Sequence, residues 1–275
     1  MCNMKTNNII CGDCISVMAE LPRDSVDLAI ADPPYNISGG SDLVFNGTWE
    51  NDDGGEYKGG WEKVDEEWDD MSDEEYSRFS ERWLSELHRV LKPDGSLFLF
   101  GTYHHVNEVL SVADSFEVLN EIIWYKRDAM PNVTCSRVTA SHENIYWLTP
   151  RNDEGCYFNY EEAKKMGLSN DRLNEKNKQM RSVWDISKTK LGDERDVGHP
   201  TQKTLKVLEP IIRVWSEPGD VVLDPFAGSG SSLVSAKIND RRYIGIEADV
   251  EWVEKAREFV DRVSEKPDAV RKVSA

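Results

Sequence analysis

Cysteine is scarce in this chain and dispersed. Cys2, Cys11, Cys14, Cys135 and Cys156, among 275 residues, are too few and too scattered for a disulfide framework. The one C-x-x-C, Cys11 to Cys14, has no second pair to complete a structural zinc site, and its Gly12-Asp13 ends an apparent strand instead of opening a redox turn. Both thiols read as small buried groups. His104 and His105 are adjacent, so on a helix they would point apart and make poor joint metal ligands. Also missing is any apolar run near the roughly 20 residues that cross a bilayer, and the polar 1–8 segment lacks a signal-peptide core. A soluble cytoplasmic protein with no membrane partner is the expectation.

Positive charge is deficient as well. Lys and Arg number 33 against 51 Asp and Glu, a net charge of −18, which is awkward for a protein that meets a polyanion. The deficit is uneven. Residues 126–203 carry 14 basic against 12 acidic residues, whereas the rest of the chain carries 19 against 39. Residues 36–75 alone hold 14 acidic residues and two lysines. The excess fits a surface kept hydrated in a high-salt host, since acidic residues also crowd the helices; a solvated acidic loop is the competing reading.

What is present is alternation of strand and helix. Apolar runs at 8–11, 26–31, 96–100, 118–125, 144–149, 221–224 and 243–247 read as strands, and helical spacing covers 15–21, 106–113, 204–215, 231–237 and 252–263. Ser72, with Glu75 three residues on, marks a capping box for a further helix that ends at the Lys92-Pro93-Asp94-Gly95 turn. Residues 36–70 are aperiodic and rich in Gly, Asp, Glu and Trp, and read as a long mobile loop. Such alternation predicts an α/β fold with a mostly parallel sheet of seven strands and helices on both faces. Ligand sites in such folds lie at the carboxyl ends of strands.

Three stretches stand at such ends. Asp13 follows the first strand. Asp32-Pro33-Pro34-Tyr35 follows the second: an acidic acceptor, rigid proline carbonyls and an aromatic face suit a planar group bearing an NH₂. Asp224-Pro225-Phe226-Ala227-Gly228-Ser229-Gly230-Ser231 links a strand to a helix, where glycines admit a ligand close to the backbone and helix N–H groups face it. Glu247 ends the next strand, placed for a ribose diol.

The two motifs together, acidic-diproline-aromatic first, resemble the amino-methyltransferases of DNA in their permuted, beta-class order. Residues 83–96 resemble the helix–strand unit that follows the catalytic loop of that family. Met130-Pro131-Asn132 and Ser141-His142-Glu143 resemble segments of its cell-cycle-regulated adenine-N6 methyltransferases, and His199-Pro200-Thr201-Gln202-Lys203 its cofactor-side motif. Thr204 departs from the usual proline there, at a helix start where the cost is small.

The resemblance implies a Rossmann-like, circularly permuted S-adenosylmethionine-dependent methyltransferase domain. Residues 1–149 form its catalytic half, with the acidic loop at about 36–71; 150–198 form a small target-recognition subdomain; 199–265 form the cofactor half; 266–275 form a tail. It implies transfer from S-adenosyl-L-methionine to the N6 amino group of adenine in double-stranded DNA, with cytosine-N4 methylation as the alternative. Less favoured are a non-catalytic module and methylation of RNA or a protein glutamine amide. Asp32 and the Pro33 carbonyl would accept from the target amino group, Pro34 would stiffen the turn, and Tyr35 would stack on a flipped base. Asp224, Phe226, Gly228, Gly230 and Ser231 would line the methionine pocket, with Thr201 and Lys203 at its end. Glu247 would hold the ribose and Asp13 the adenine. Lys126, Arg127, Arg137, Lys188 and Lys190 are the cations expected to face DNA, while Tyr157, Phe158, Tyr160 and Trp184 read as a subdomain core. Partners compatible with the resemblance are a cognate restriction endonuclease and a second copy of the chain, in a prokaryotic or viral setting.

Overall fold

The chain begins with β1 (Asn8–Cys11), α1 (Cys14–Glu20), β2 (Val26–Ala31), β3 (Phe45–Glu50), β4 (Glu56–Trp61) and α2 (Asp73–Val90). It continues through β5 (Leu91–Gly101), α3 (Val106–Ser111), β6 (Phe116–Tyr125), β7 (His142–Pro150), α4 (Tyr160–Lys165) and β8 (Val183–Asp185). It closes with α5 (Leu205–Trp215), β9 (Val221–Asp224), α6 (Ser231–Ile238), β10 (Arg242–Glu247) and α7 (Val250–Glu265). This computed structural model describes residues 4–34, 36, 45–50, 56–61, 71–102, 106–129, 138–166, 178–188, 197–199 and 201–265. Tyr35, His104, His105, Arg137 and Lys190 lie outside the described residues.

Among the described residues, eight strands form the main sheet, in the order β1-β10-β9-β2-β5-β7-β6-β8. Only β7 is reversed; it pairs antiparallel with both β5 and β6. The seven expected strands are all present, and the eighth is β8, which pairs parallel with the end of β6. A three-residue run with one large apolar side chain is too short to register as a strand by period. β2 explains why the others did register. Leu28 and Ile30 enter the core shared with α5, α6 and α7, while Ala29 and Ala31 enter the core shared with α1 and α2. Burial on both faces makes the strand read as an uninterrupted apolar run. Its one acidic residue, Asp27, accepts from Lys92 Nζ at 2.5 Å and from Val221 N at 2.8 Å, tying β2 to β5 and β9 where all three start.

Caps follow the sequence closely. Ser72 and Glu75 make the expected reciprocal box at the start of α2. Thr204 caps α5 by accepting from Lys206 N at 3.4 Å, so a side-chain oxygen takes over where a proline would have preset the backbone.

Two expectations are corrected. Within the 36–70 stretch, β3 and β4 pair antiparallel as a two-stranded ribbon, so the acidic composition had hidden a hairpin. The described part of 150–198 has no core of its own. Trp184, Ala163 and Ile186 join the same core as α5 to α7, and the Phe158 ring lies 5.6 Å from that of Trp147 and 5.3 Å from that of Trp215. Those aromatics were read as a subdomain core because a linear pattern does not reveal which larger apolar surface a side chain joins.

Candidate active site

Because β1, β10, β9 and β2 are parallel neighbours, their carboxyl ends share one edge of the sheet. A carboxylate stands at each: Asp13 just beyond β1, Glu247 ending β10, Asp224 ending β9 and Asp32 just beyond β2. Adjacent strands are about 4.8 Å apart, so four acidic groups drawn from four chain segments line a single rim.

Each is held differently. Asp13 caps α1, with Oδ1 accepting from Ser16 N at 2.9 Å and Ser16 Oγ at 2.7 Å. Glu247 accepts from Gly228 N at 2.8 Å and from Asp249 N at 3.0 Å. Asp224 is buried and accepts from Phe226 N at 2.9 Å and from the Ser232 hydroxyl. Burial pushes its carboxyl up to about 7, with Asp32 and Glu247 adding to the shift against the pull of those two hydrogen bonds.

That shift has a testable sign. A carboxyl raised in the folded state favours the native protein while protonated, below its ordinary value near 3.8, and loses that contribution as pH climbs toward about 7. Asp224→Asn keeps the acceptor for Phe226 N without the titration. Urea unfolding of the two proteins between about pH 4.5 and 7.5 should therefore show the variant gaining on the parent as pH rises.

The glycine turn between β9 and α6 needs its glycines. Gly228 (φ +43°) and Gly230 (φ +76°) are left-handed, and a Cβ on Gly228 would stand 3.1 Å from His199 Nε2. His199 opens the cofactor-side motif, where no role of its own could be read for it. Its ring meets the Trp252 ring edge-on at 4.3 Å. Burial, then Lys203 and Lys255, push its pKa down to about 4, so the ring is neutral at physiological pH. Gln202 Nε2 donates to Ser231 Oγ at 3.3 Å, and Thr201 N to His199 Nδ1 at 3.3 Å. His199 and Gln202 thus sit against the glycine turn. Phe226 faces α2, with its ring 5.3 Å from that of Trp83 and 6.2 Å from that of Phe79, both edge-on. It anchors the turn to α2.

The backbone of the glycine turn and the Glu247 carboxylate one strand away offer N–H donors and an acceptor that fit the methionine and adenosyl parts of S-adenosylmethionine. Glu247 uses one hydrogen bond on each oxygen, and a carboxylate has about four acceptor positions, which leaves two for a ribose.

The diproline turn is braced from α2. Tyr76 Oη donates to the Pro34 carbonyl at 2.8 Å. Asn36 then exchanges two hydrogen bonds with the Met71 backbone, each 2.8 Å, which ties the end of the diproline turn to the start of α2.

Lys203, the last residue of the cofactor-side motif, reaches to the diproline turn. It is buried at the diproline end, with Nζ 2.5 Å from Asp32 Oδ2 and 3.6 Å from Glu143 Oε2. Despite its burial, those two carboxylates hold its pKa above the ordinary lysine value. Glu143, likewise without a role read from the sequence, lies in β7 and also pairs with Lys126. Its pKa is lowered: burial would raise it, and Lys203 with Lys126 outweighs that. Asp32, Lys203, Glu143 and Lys126 form a continuous row of alternating charge. Glu143 lies in the Ser141-His142-Glu143 stretch, but nothing in its neighbours signals a partner 60 residues away.

This corrects the reading of Lys126 as a DNA-facing cation, since its side chain is only 11% exposed and is engaged inward. Arg127 is half-exposed and doubly bonded to Asp185, at 2.7 and 2.6 Å. Lys188 is half-buried, its backbone N–H donating to Asp128 at 3.3 Å.

Residues 26–258 match the family model described as DNA methylase. The type II methyltransferase M.HinfI of Haemophilus influenzae is 34% identical over 98% of this chain and 72% of its own length. Another, M2.DpnII of Streptococcus pneumoniae, is 34% identical over 94% of this chain and 90% of its own. Two solved structures share the fold. The S-adenosylmethionine complex of M1.HpyAVI has a TM-score of 0.62 at 22% identity, over 92% of this chain and 98% of that one. The cytosine-N4-specific PvuII methyltransferase has a TM-score of 0.67 at 16% identity, over 97% and 93%.

Proposed function

This chain belongs to the DNA methylase family, and we propose on that premise that it methylates the N6 amino group of adenine in duplex DNA. It is a DNA methyltransferase that uses S-adenosylmethionine. The observation that carries the finer reading is the shared rim. Asp32 lies one strand from Asp224, and the glycine turn that Asp224 opens lies one strand from Glu247. Acceptor and cofactor cradle therefore meet at one edge although nearly 200 residues separate them. An acidic residue heading the diproline turn favours adenine within the family that the chain resembles, and the order of the two motifs supports the permuted, beta-class reading.

When bound, S-adenosylmethionine supplies an electrophilic methyl group. The protein's task is to make a poor nucleophile adequate. An exocyclic amino nitrogen delocalises its lone pair into the ring. N–H donation to Asp32 and to the Pro33 carbonyl favours a pyramidal nitrogen and localises that pair. Alignment with the methyl then supplies much of the acceleration. The ring of Tyr35 is the stacking surface in this reading, for a base rotated out of the duplex. Tyr76 contributes by fixing the Pro34 carbonyl, and with it the turn that presents Asp32. A cognate restriction endonuclease is the partner this reading adds, and a bacterial cytoplasm the setting.

The decisive measurement is mass identification of nucleosides digested from DNA of cells that express the protein. N6-methyladenine is expected, and N4-methylcytosine in its place would overturn the assignment of the base.

A further inference from the structure

Glu143 is a carboxylate buried behind the site, with no place in the reaction described so far. Its Oε1 is engaged by Lys126, but Oε2 is buried and has no hydrogen-bond partner among the described residues. An unsatisfied buried acceptor is costly unless something fills it in another state of the protein. Lys203 Nζ lies 3.6 Å from it and 2.5 Å from Asp32 Oδ2. The incoming amino group needs the Asp32 carboxylate free to turn toward it, and in the structure the ammonium fixes one of its two oxygens.

We propose that Lys203 and Glu143 are positioning residues for methyl transfer: Lys203 holds Asp32 until the target amino group arrives, then moves about 1 Å to Glu143 Oε2 and clears the acceptor. The proposal rests on the reading of Asp32 as the amino-group acceptor. Both carboxylates lie within ion-pair distance of one ammonium, so the exchange leaves every charge paired. The Phe100 ring, 5.5 Å from Nζ, supports the cation throughout. Lys126 keeps Glu143 ionised and ready to receive. Lys203 and Glu143 Oε2 are buried, which strengthens the electrostatic contrast between the two lysine positions. The direction of both shifts agrees: Lys203 stays charged and Glu143 stays ionised despite burial.

The test is single-turnover methyl transfer with duplex DNA and saturating S-adenosylmethionine, across pH, alongside calorimetric cofactor affinity. Glu143→Gln removes the receiving charge, so the lysine stays on Asp32. The rate should fall about 10- to 100-fold with cofactor affinity unchanged, and Glu143→Asp should recover part of it. Lys203→Met leaves Asp32 beside Asp224 without its cation. The rate should then fall about tenfold or more with cofactor affinity unchanged. Lys203→Arg keeps the charge and covers the case in which the methionine variant fails to fold. A wild-type rate and pH profile in Glu143→Gln would overturn the proposal. So would a cofactor affinity at least tenfold weaker in Lys203→Met with an unchanged saturated rate, which would return the lysine to the cofactor. If Asp32→Asn keeps full turnover, the acceptor reading itself fails; if it is inactive while both lysine variants behave as wild type, only the exchange fails.

Discussion

Asp32→Asn should reduce single-turnover methyl transfer by about 10²- to 10³-fold, the scale seen when one preorganised polar contact to a reacting group is removed. Asparagine keeps the shape of the side chain and one carbonyl acceptor but removes the full negative charge. The loss therefore isolates what charge contributes to localising the nitrogen lone pair. The fold should survive. Lys203, deprived of Asp32, still has Glu143 at 3.6 Å, so the buried ammonium is not stranded. Cofactor affinity should stay within about twofold of the parent, because the glycine turn and Glu247 belong to neighbouring strands and keep their own hydrogen bonds. The measurement is a rapid-quench time course at saturating S-adenosylmethionine, paired with calorimetry. Retained turnover would show that some other group accepts the amino hydrogens.

Gly230→Val should damage stability and cofactor binding together. At φ +76° an L side chain strains the backbone, and the new Cβ would stand 2.9 Å from Ala256 Cβ and 3.3 Å from Ala256 Cα. Ala256 belongs to α7, buried and packed against α6, so neither side can give way cheaply. Left-handed strain of about 1–2 kcal/mol and overpacking of about 1–3 kcal/mol set the expected loss in urea unfolding at roughly 2–5 kcal/mol. Cofactor affinity should fall at least about tenfold, since relief of the clash moves the helix start that forms one wall of the cradle. Gly155→Ala is the control. Gly155 has the same φ of +76° with nothing within 4 Å of the added Cβ, so it reports strain alone, at about 1 kcal/mol.

The two experiments probe features of unequal visibility in the amino-acid order. The glycine turn and the acidic-diproline turn are contiguous motifs at the ends of apolar runs, and their places at neighbouring strand ends were legible. So were the capping box at Ser72 and the helix start at Thr204, because a cap is a relation between residues two or three apart. The same locality explains the strands, whose double-sided burial leaves an unbroken apolar run. β8 escaped because three residues carry no period. The ribbon of β3 and β4 escaped because its composition is that of a solvated loop.

What the linear order determined by itself is the alternation of strands and helices, the chemistry at four strand ends, and hence the class of reaction. Which carboxylate each cation serves was decided only in three dimensions. Lys203 reaches Asp32 across 171 positions, and Lys126 turns inward to Glu143 instead of outward. A long flexible side chain has no periodic signature, and its partner is chosen by which strands lie side by side and how deeply water is excluded between them. Periodicity encodes which face of an element is buried; it does not encode the neighbour that waits there.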